Sequence, residues 1–406
     1  MPTDDAAPAT LRRRLSLPLL VLYGIGVTVG AGIYVLIGAI AGHAGTHAPL
    51  AFVFAAVVMG LTVGSYAELC TRFPVAAGEA AYVRAAFRRR SLSTLTGFVM
   101  IGTAVIAAAA VALGAAGYIA EFVTLPRPLV VAVVIIALGL VAAWGVLESV
   151  LLASLFTLIE VGGLVAIIVA AAQAGLPIGR SIFTLPPTDF ALWSGIAFSS
   201  LLAFFAFTGF EDLTNMVEEA QAPERNVPIA MAVTLVVTTL LYVVIASIAV
   251  TALPPGRLAA SDAPLSLVYR EVAGVSPATI SAIAIVATLN TIIAQMTMAI
   301  RVVYGMARQG DLPRIFGHVH RRTATPILAT AIIMALALAL ALFAPFERLA
   351  EFTSLATLVV FALVNLALLK LRLAKPRPRA APVTVPLVIP VLGLISCLAM
   401  IVTSLL

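Results

Sequence analysis

Long uncharged runs are the feature that most constrains this chain. Only 10% of its 406 residues are charged, whereas soluble proteins carry about 25%, and the mean hydropathy is +1.14. A helix that crosses hydrocarbon needs about 20 predominantly apolar residues. The sequence holds eleven such stretches, at residues 17–42, 48–70, 93–121, 128–147, 149–174, 193–218, 227–252, 276–307, 325–344, 350–371 and 383–405. This pattern excludes a soluble enzyme, a disordered chain and a nucleic-acid-binding protein.

The length of these runs also decides between the two structures that can span a membrane. Only helices and closed barrels satisfy every backbone polar group in hydrocarbon. Barrel strands alternate apolar and polar residues over about 10 positions, whereas these runs are continuously apolar over 18 residues or more. The sequence therefore predicts an all-α integral membrane protein with about eleven transmembrane helices, which we number as spans 1 to 11.

The basic residues predict an orientation. Nineteen of the 24 lysines and arginines fall on the segments that share a side with the N-terminus, and basic residues are enriched on the cytoplasmic side. We therefore expect a multi-pass protein of the inner (cytoplasmic) membrane with its N-terminus in the cytoplasm. An odd number of spans places the C-terminus outside. The net charge of +6 is explained by this topology and by contact with anionic membrane lipids, so that no nucleic-acid partner is required.

Glycines interrupt two of the spans. Span 1 has four glycines between Gly24 and Gly32, and span 6 has Gly209 just before two acidic residues. Broken helices at corresponding positions of two halves are a sequence signature of transporter binding sites, although glycines in span 1 alone also suit close helix packing. The spacing predicts two five-span halves, the second inverted. The expected organisation is a cytoplasmic tail at 1–14, a first repeat at 15–175, a second at 190–372 and an additional helix at 383–406.

Three motifs resemble those of one family. Residues 30–34 read GAGIY, residues 204–211 read FFAFTGFE and continue into EEAQAPERNVP at 218–228, and residues 301–313 read RVVYGMARQGDLP. In this order they resemble the signatures of amino acid permeases of the amino acid–polyamine–organocation (APC) superfamily. The most similar branch looks like the bacterial relatives of cationic amino acid transporters.

The resemblance implies a LeuT-type five-plus-five inverted-repeat helix bundle. It also implies secondary active transport of amino acids by alternating access, coupled to protons or to exchange, without a cofactor or a catalytic residue. The sequence departs from the family pattern in showing eleven spans instead of twelve. It also has Gly78-Glu79 near a usual glycine pair, and a glutamate in span 5 where some relatives have lysine.

An amino acid zwitterion needs one site for its carboxylate and one for its ammonium group, and a broken helix offers both. N–H groups at a helix start hold anions, and freed carbonyls hold cations. We assign the carboxylate to N–H groups of Gly30, Ala31 and Gly32, expected on the inner half-helix of span 1. The ammonium group is assigned to the backbone of Val27, Thr28, Phe205, Ala206 and Thr208.

Glu160 is the only formally charged residue in the middle of a span. Charged groups at the bilayer centre are costly and usually functional. We expect Glu160 to take up and release a coupling proton, the alternative being a permanently neutral acid that hydrogen-bonds a neighbouring helix.

Other functions remain open at the level of sequence. An amine, polyamine or amino acid exchanger is the first alternative, and a channel or a non-transporting membrane subunit is less favoured. The four histidines lie in loops without cysteine or acidic clusters, so no metal site is expected, and no phosphate-binding loop is present that would indicate ATP-driven transport.

Overall fold

The structure, a computed structural model, describes residues 15–74, 78–144, 150–179, 186–320, 323, 325–374 and 383–405. The predicted tail at 1–14 lies outside these residues. Within them the chain is helical, with a single isolated bridge between Leu15 and Ala220. The prediction of an all-α membrane bundle is confirmed.

Fifteen α-helices are formed by the described residues. They are α1 (Leu17–Val29), α2 (Gly32–Ala44), α3 (Ala48–Arg72), α4 (Gly78–Phe87), α5 (Arg90–Ala120), α6 (Arg127–Trp144), α7 (Val150–Gln173), α8 (Phe190–Phe207), α9 (Pro223–Ala252), α10 (Pro255–Ala259), α11 (Pro264–Ala273), α12 (Ala278–Gln309), α13 (Ile327–Phe343), α14 (Phe346–Ala374) and α15 (Val388–Leu405).

Each predicted span contains helix over most of its described residues. Eight helical stretches of the described chain are long and apolar enough to cross a membrane, and three shorter apolar helices complete spans 1, 9 and 11. Span 1 is divided into α1 and α2, and span 6 consists of α8 followed by a 3-10 helix at Phe210–Met216. Three short helices, α4, α10 and α11, lie in segments that the sequence indicated only as connections.

Small residues let α5 run through the middle of the bundle. Its central stretch, Ala107–Ala112, is buried, and α5 packs chiefly against α12 and α14. Small side chains permit close approach of helices where no hydrophobic force drives them together.

A polar cluster attaches α15 to the bundle. Ser65 of α3 donates to Asn365 Oδ1 of α14 at 2.6 Å, and Asn365 Nδ2 donates to Thr62 Oγ1 at 3.1 Å. A Cβ atom at Gly393 of α15 would lie 2.5 Å from Asn365 Oδ1. The glycine therefore lets α15 pass directly over this cluster.

An ion-pair cluster lies at one end of the bundle, which we call the basic face. The buried Glu68 carboxylate accepts hydrogen bonds from Arg72 of α3 and Arg372 of α14. It also accepts from the backbone N–H of Val385, ahead of α15, at 3.0 Å. One carboxylate thus joins three segments on the side that the sequence predicts to be cytoplasmic.

Candidate substrate site

The first break separates α1 from α2. Helix α1 ends at Val29, Gly30 has φ 17° and ψ −137°, and α2 begins at Gly32. A Cβ atom at Gly32 would lie 2.6 Å from the Cα atom of Ala206 in α8. Glycine is therefore required at position 32 for α2 to contact α8.

The second break follows α8. Helix α8 ends at Phe207, Thr208 is extended, and Gly209 has φ 124°, a value that favours glycine. A Cβ atom at Gly209 would lie 2.8 Å from the carbonyl oxygen of Val27. The Glu211 carboxylate accepts a hydrogen bond from the Gly209 N–H at 2.8 Å and so fixes the turn. The breaks of spans 1 and 6 consequently face each other.

The N–H groups at the first break belong to the helix after it. Helix α1 ends in carbonyls, and the free N–H groups of a helix lie at its start. The expectation that the inner half-helix of span 1 supplies them is therefore wrong, and they lie at the N-terminus of α2. The Gly30 N–H donates to the Gly26 carbonyl at 3.1 Å and continues α1, whereas the Ala31 N–H donates to Thr291 Oγ1 at 3.0 Å.

Tyr242 of α9 joins the two breaks, a role that the sequence did not indicate. Its buried hydroxyl lies 2.8 Å from the Thr28 carbonyl oxygen, 3.2 Å from that of Val29 and 2.8 Å from that of Ala206. A phenol has one proton to donate, so at any moment it satisfies one of these acceptors well. The carbonyl ends of α1 and α8 therefore converge on a point that is rich in acceptors and poor in donors.

A small cavity of about 20 Å³ lies between the breaks, with room for about one water molecule. Its lining includes Val27, Thr28, Ala31, Gly32, Phe205, Ala206 and Thr208, whereas Gly30, also predicted for the site, is absent from it. The structure adds Ala107 from α5 and Thr291 and Gln295 from α12. The sequence carried no signal for these three, because the face that a long apolar helix turns to a cavity cannot be read from its composition.

Glu160 lies beside this cavity but does not line it. The residue is fully buried in α7, and its carboxylate accepts a hydrogen bond from Asn290 Nδ2 of α12 at 3.2 Å. The Tyr34 hydroxyl of α2 donates to the Glu160 backbone carbonyl at 2.6 Å. Glu160 therefore contacts both the helix after the first break and the helix that supplies Thr291 and Gln295.

A larger cavity of about 570 Å³ lies at the end opposite the basic face, and we call it the vestibule. Its walls carry charges of both signs, including the pair between Arg127 and Asp262 at 3.0 Å and the contact between His43 and Glu347 at 3.5 Å. Val35, one turn beyond the start of α2, lies at its inner edge. The bundle is thus open on the vestibule side.

Buried polar side chains link helices at the basic face. Besides the Glu68 cluster, the Tyr66 hydroxyl donates to Glu79 Oε1 of α4 at 3.0 Å. Helix α4 lies outside the spanning segments, and burial raises the pKa of the Glu79 carboxyl above its ordinary value. Glu79 therefore takes up a proton at a higher pH than an exposed glutamate does.

Comparison with known proteins gives the family. Residues 15–406 match the family model described as "Amino acid permease". The chain belongs to the amino acid permease family. This agrees with the APC superfamily resemblance, and with the expectation of a transporter and not an enzyme.

Individual relatives differ in what their names say they carry. The permease is 29% identical to the vacuolar cationic amino acid transporter 4 of Arabidopsis thaliana, over 91% of its own chain. It spans only 65% of that relative's length. It is also 29% identical to the branched-chain amino acid permease of Bacillus subtilis, covering 97% of this chain and 88% of the relative. An uncharacterized transporter of Mycobacterium tuberculosis is 32% identical, with coverages of 97% and 86%.

Proposed function

We propose that this permease is a secondary active transporter that moves amino acids across the cytoplasmic membrane by alternating access. The observation that carries the proposal is that two broken spans face each other, with a helix start and two helix ends meeting at one cavity. This arrangement offers an anion site and a cation site within a few ångströms, which is what a zwitterion needs.

The substrate carboxylate binds at the start of α2. The N-terminus of a helix carries partial positive charge and unpaired N–H donors. Gly32 is the first residue of α2 and lines the cavity, so its N–H lies among the donors at this helix start. The Thr291 hydroxyl donates to the Ala287 carbonyl and accepts from the Ala31 N–H. It therefore fixes the start of α2.

The substrate ammonium group binds at the ends of α1 and α8. Three carbonyl oxygens, those of Thr28, Val29 and Ala206, surround the single hydroxyl donor of Tyr242. A primary ammonium group brings three donors and a positive charge to the negative ends of two helices. It therefore supplies the donors that this junction lacks.

Alternating access follows from the difference between the two ends of the bundle. The vestibule lies at one end, whereas buried ion pairs hold helices together at the basic face. We propose that the halves at 15–175 and 190–372 form an inverted repeat whose relative motion exchanges these states. The N-terminus lies in the cytoplasm and the C-terminus outside, as the basic residues predict.

Glu160 is proposed to couple transport to protons. It contacts the segments that form the cavity through Tyr34 and Asn290, and a change in its charge alters the cost of burying it. The test is uptake of radiolabelled amino acids by proteoliposomes with and without a pH gradient. Glu160→Gln is expected to abolish acceleration by the gradient while substrate binding persists.

The matched control is Glu121→Gln, at the exposed end of α5, which should leave uptake unchanged. Full gradient-driven uptake by Glu160→Gln would contradict proton coupling through this residue. In that case, uptake that occurs only when amino acid is preloaded into the vesicles would favour the exchanger.

A further inference from the structure

We infer that this permease carries amino acids with small, uncharged side chains and discriminates against lysine, arginine and ornithine. The inference rests on the proposed amino acid site and specifies the class of substrate that the site accepts. It depends on the cavity residues that are assigned neither to the carboxylate nor to the ammonium group of the substrate.

The cavity lining has no ionisable side chain among the described residues. Its ten members are Val27, Thr28, Ala31, Gly32, Ala107, Phe205, Ala206, Thr208, Thr291 and Gln295. The carboxylate and ammonium sites use mainly backbone groups of the two broken spans. The wall left for the substrate side chain consists of Ala107, Thr291 and Gln295, with the ring of Phe205.

A cationic side chain would find no carboxylate at this wall. Burying a charge without a partner is strongly unfavourable. Glu160 does not line the cavity, and its carboxylate accepts from Asn290. In the vestibule, Asp262 is paired with Arg127 and Glu351 with Arg348. The carboxylates of Glu160, Asp262 and Glu351 therefore already contact donors of the protein.

The polar groups at the wall suit a neutral substrate. The Thr291 hydroxyl is bonded to Ala287 and Ala31, whereas the Gln295 amide makes no hydrogen bond within the described part of the chain. An amide can donate and accept but cannot neutralise a cation. Gln295 is therefore suited to contact a hydroxyl, an amide or a short apolar side chain.

The size of the wall favours small side chains. Alanine and glycine supply four lining positions, at Ala31, Gly32, Ala107 and Ala206, and the cavity between them is about 20 Å³. The long chains of lysine and arginine would require a far larger opening. Every amino acid is larger than this cavity, and a small side chain requires the least widening of it.

The names of the relatives leave this question open. The permease is 29% identical both to a protein named as a cationic amino acid transporter and to one named as a branched-chain amino acid permease. The chemistry of the cavity lining favours the neutral class.

The experiment measures uptake by purified protein in liposomes. Unlabelled alanine, serine, threonine, valine, lysine, arginine and ornithine are each used to compete with labelled alanine and labelled lysine. We expect uncharged amino acids to be preferred at least about tenfold over the cationic ones. Preference for lysine or arginine would overturn the inference and leave amino acid transport intact.

A gain of function tests the assigned wall. Gln295→Glu places a carboxylate in the lining and should allow lysine uptake, whereas Gln295→Leu, the matched control, should not. A Gln295→Glu protein that still carries alanine but gains no lysine uptake would overturn the role of Gln295. If the wild type neither binds nor carries any amino acid, the proposed function itself fails.

Discussion

The Tyr242 hydroxyl links the carbonyl ends of α1 and α8 from a third helix. A buried tyrosine in an apolar helix tends to find a hydrogen-bond partner, but nothing in the sequence specifies which one. Its three carbonyl neighbours make this side chain the local determinant of how closely the two breaks approach.

Removal of this hydroxyl should loosen the junction. In Tyr242→Phe the buried carbonyls lose their shared donor, at a cost of about 1–3 kcal/mol. We expect a several-fold higher KM for uptake and a lower midpoint of thermal unfolding in detergent. Tyr304→Phe is the control, because the Tyr304 hydroxyl forms no hydrogen bond with the described residues. Unchanged KM and stability in Tyr242→Phe would show that the breaks are held by other contacts.

Gly32 provides a second prediction at this scale. A methyl group there would lie 2.6 Å from the Ala206 Cα atom and 3.2 Å from its carbonyl oxygen, which are backbone atoms that cannot rotate away. Gly32→Ala should therefore reduce uptake by at least about tenfold, since displacement of the break by about 1 Å disturbs binding geometry.

Gly102→Ala in α5 controls for helix propensity, because a Cβ atom there meets nothing within 4 Å. Normal uptake by Gly32→Ala would mean that α2 can move away from α8 without loss of the site.

Among the elements, the two breaks were predictable and their surroundings were not. Glycines at Gly30 and Gly209 indicated where spans 1 and 6 are interrupted, since glycine tolerates backbone angles that other residues avoid. The free N–H groups lie on the second half of span 1, because a helix exposes its N–H groups at its start and α2 begins at Gly32. Thr291 and Gln295 were missed because helix rotation inside a bundle depends on all its neighbours.

A prediction at this scale concerns the Glu68 cluster at the basic face. Glu68→Gln would leave Arg72 and Arg372 facing a neutral group in a buried position. Breaking a buried ion pair from one side costs about 3–5 kcal/mol. We therefore expect a clear fall in the thermal unfolding midpoint.

The control is Asp262→Asn, which removes an exposed ion pair with Arg127, a type that contributes little. Equal stability of both variants would mean that the Glu68 cluster does not hold α3, α14 and the segment before α15 together.

At the scale of the whole molecule, the eleven spans were predicted well because hydrocarbon imposes length and apolarity on every helix that crosses it. The short helices α4, α10 and α11 were missed because they lie outside that constraint. The vestibule was also missed, since its walls come from segments that are far apart in the sequence.

The vestibule can be located by chemical labelling. The two native cysteines, Cys70 and Cys397, are buried, so background labelling should be low. Ala39→Cys places a thiol in the vestibule wall and should react with a membrane-impermeant maleimide from outside intact cells. Reaction only in inverted vesicles would reverse the predicted orientation, and absence of reaction from either side would contradict an open vestibule.

The crowding of three carbonyl oxygens around one phenolic proton also bears on the kinetics of a full transport cycle. A protein without substrate must switch between its two access states while the carbonyl ends of α1 and α8 lack donors. A protein that carries an ammonium group makes the same transition with these negative ends neutralised. The unloaded return should therefore be the slow step. Substrate on the far side of the membrane should then accelerate each turnover. This trans-stimulation would arise from the shortage of donors around Tyr242 and its three carbonyl acceptors.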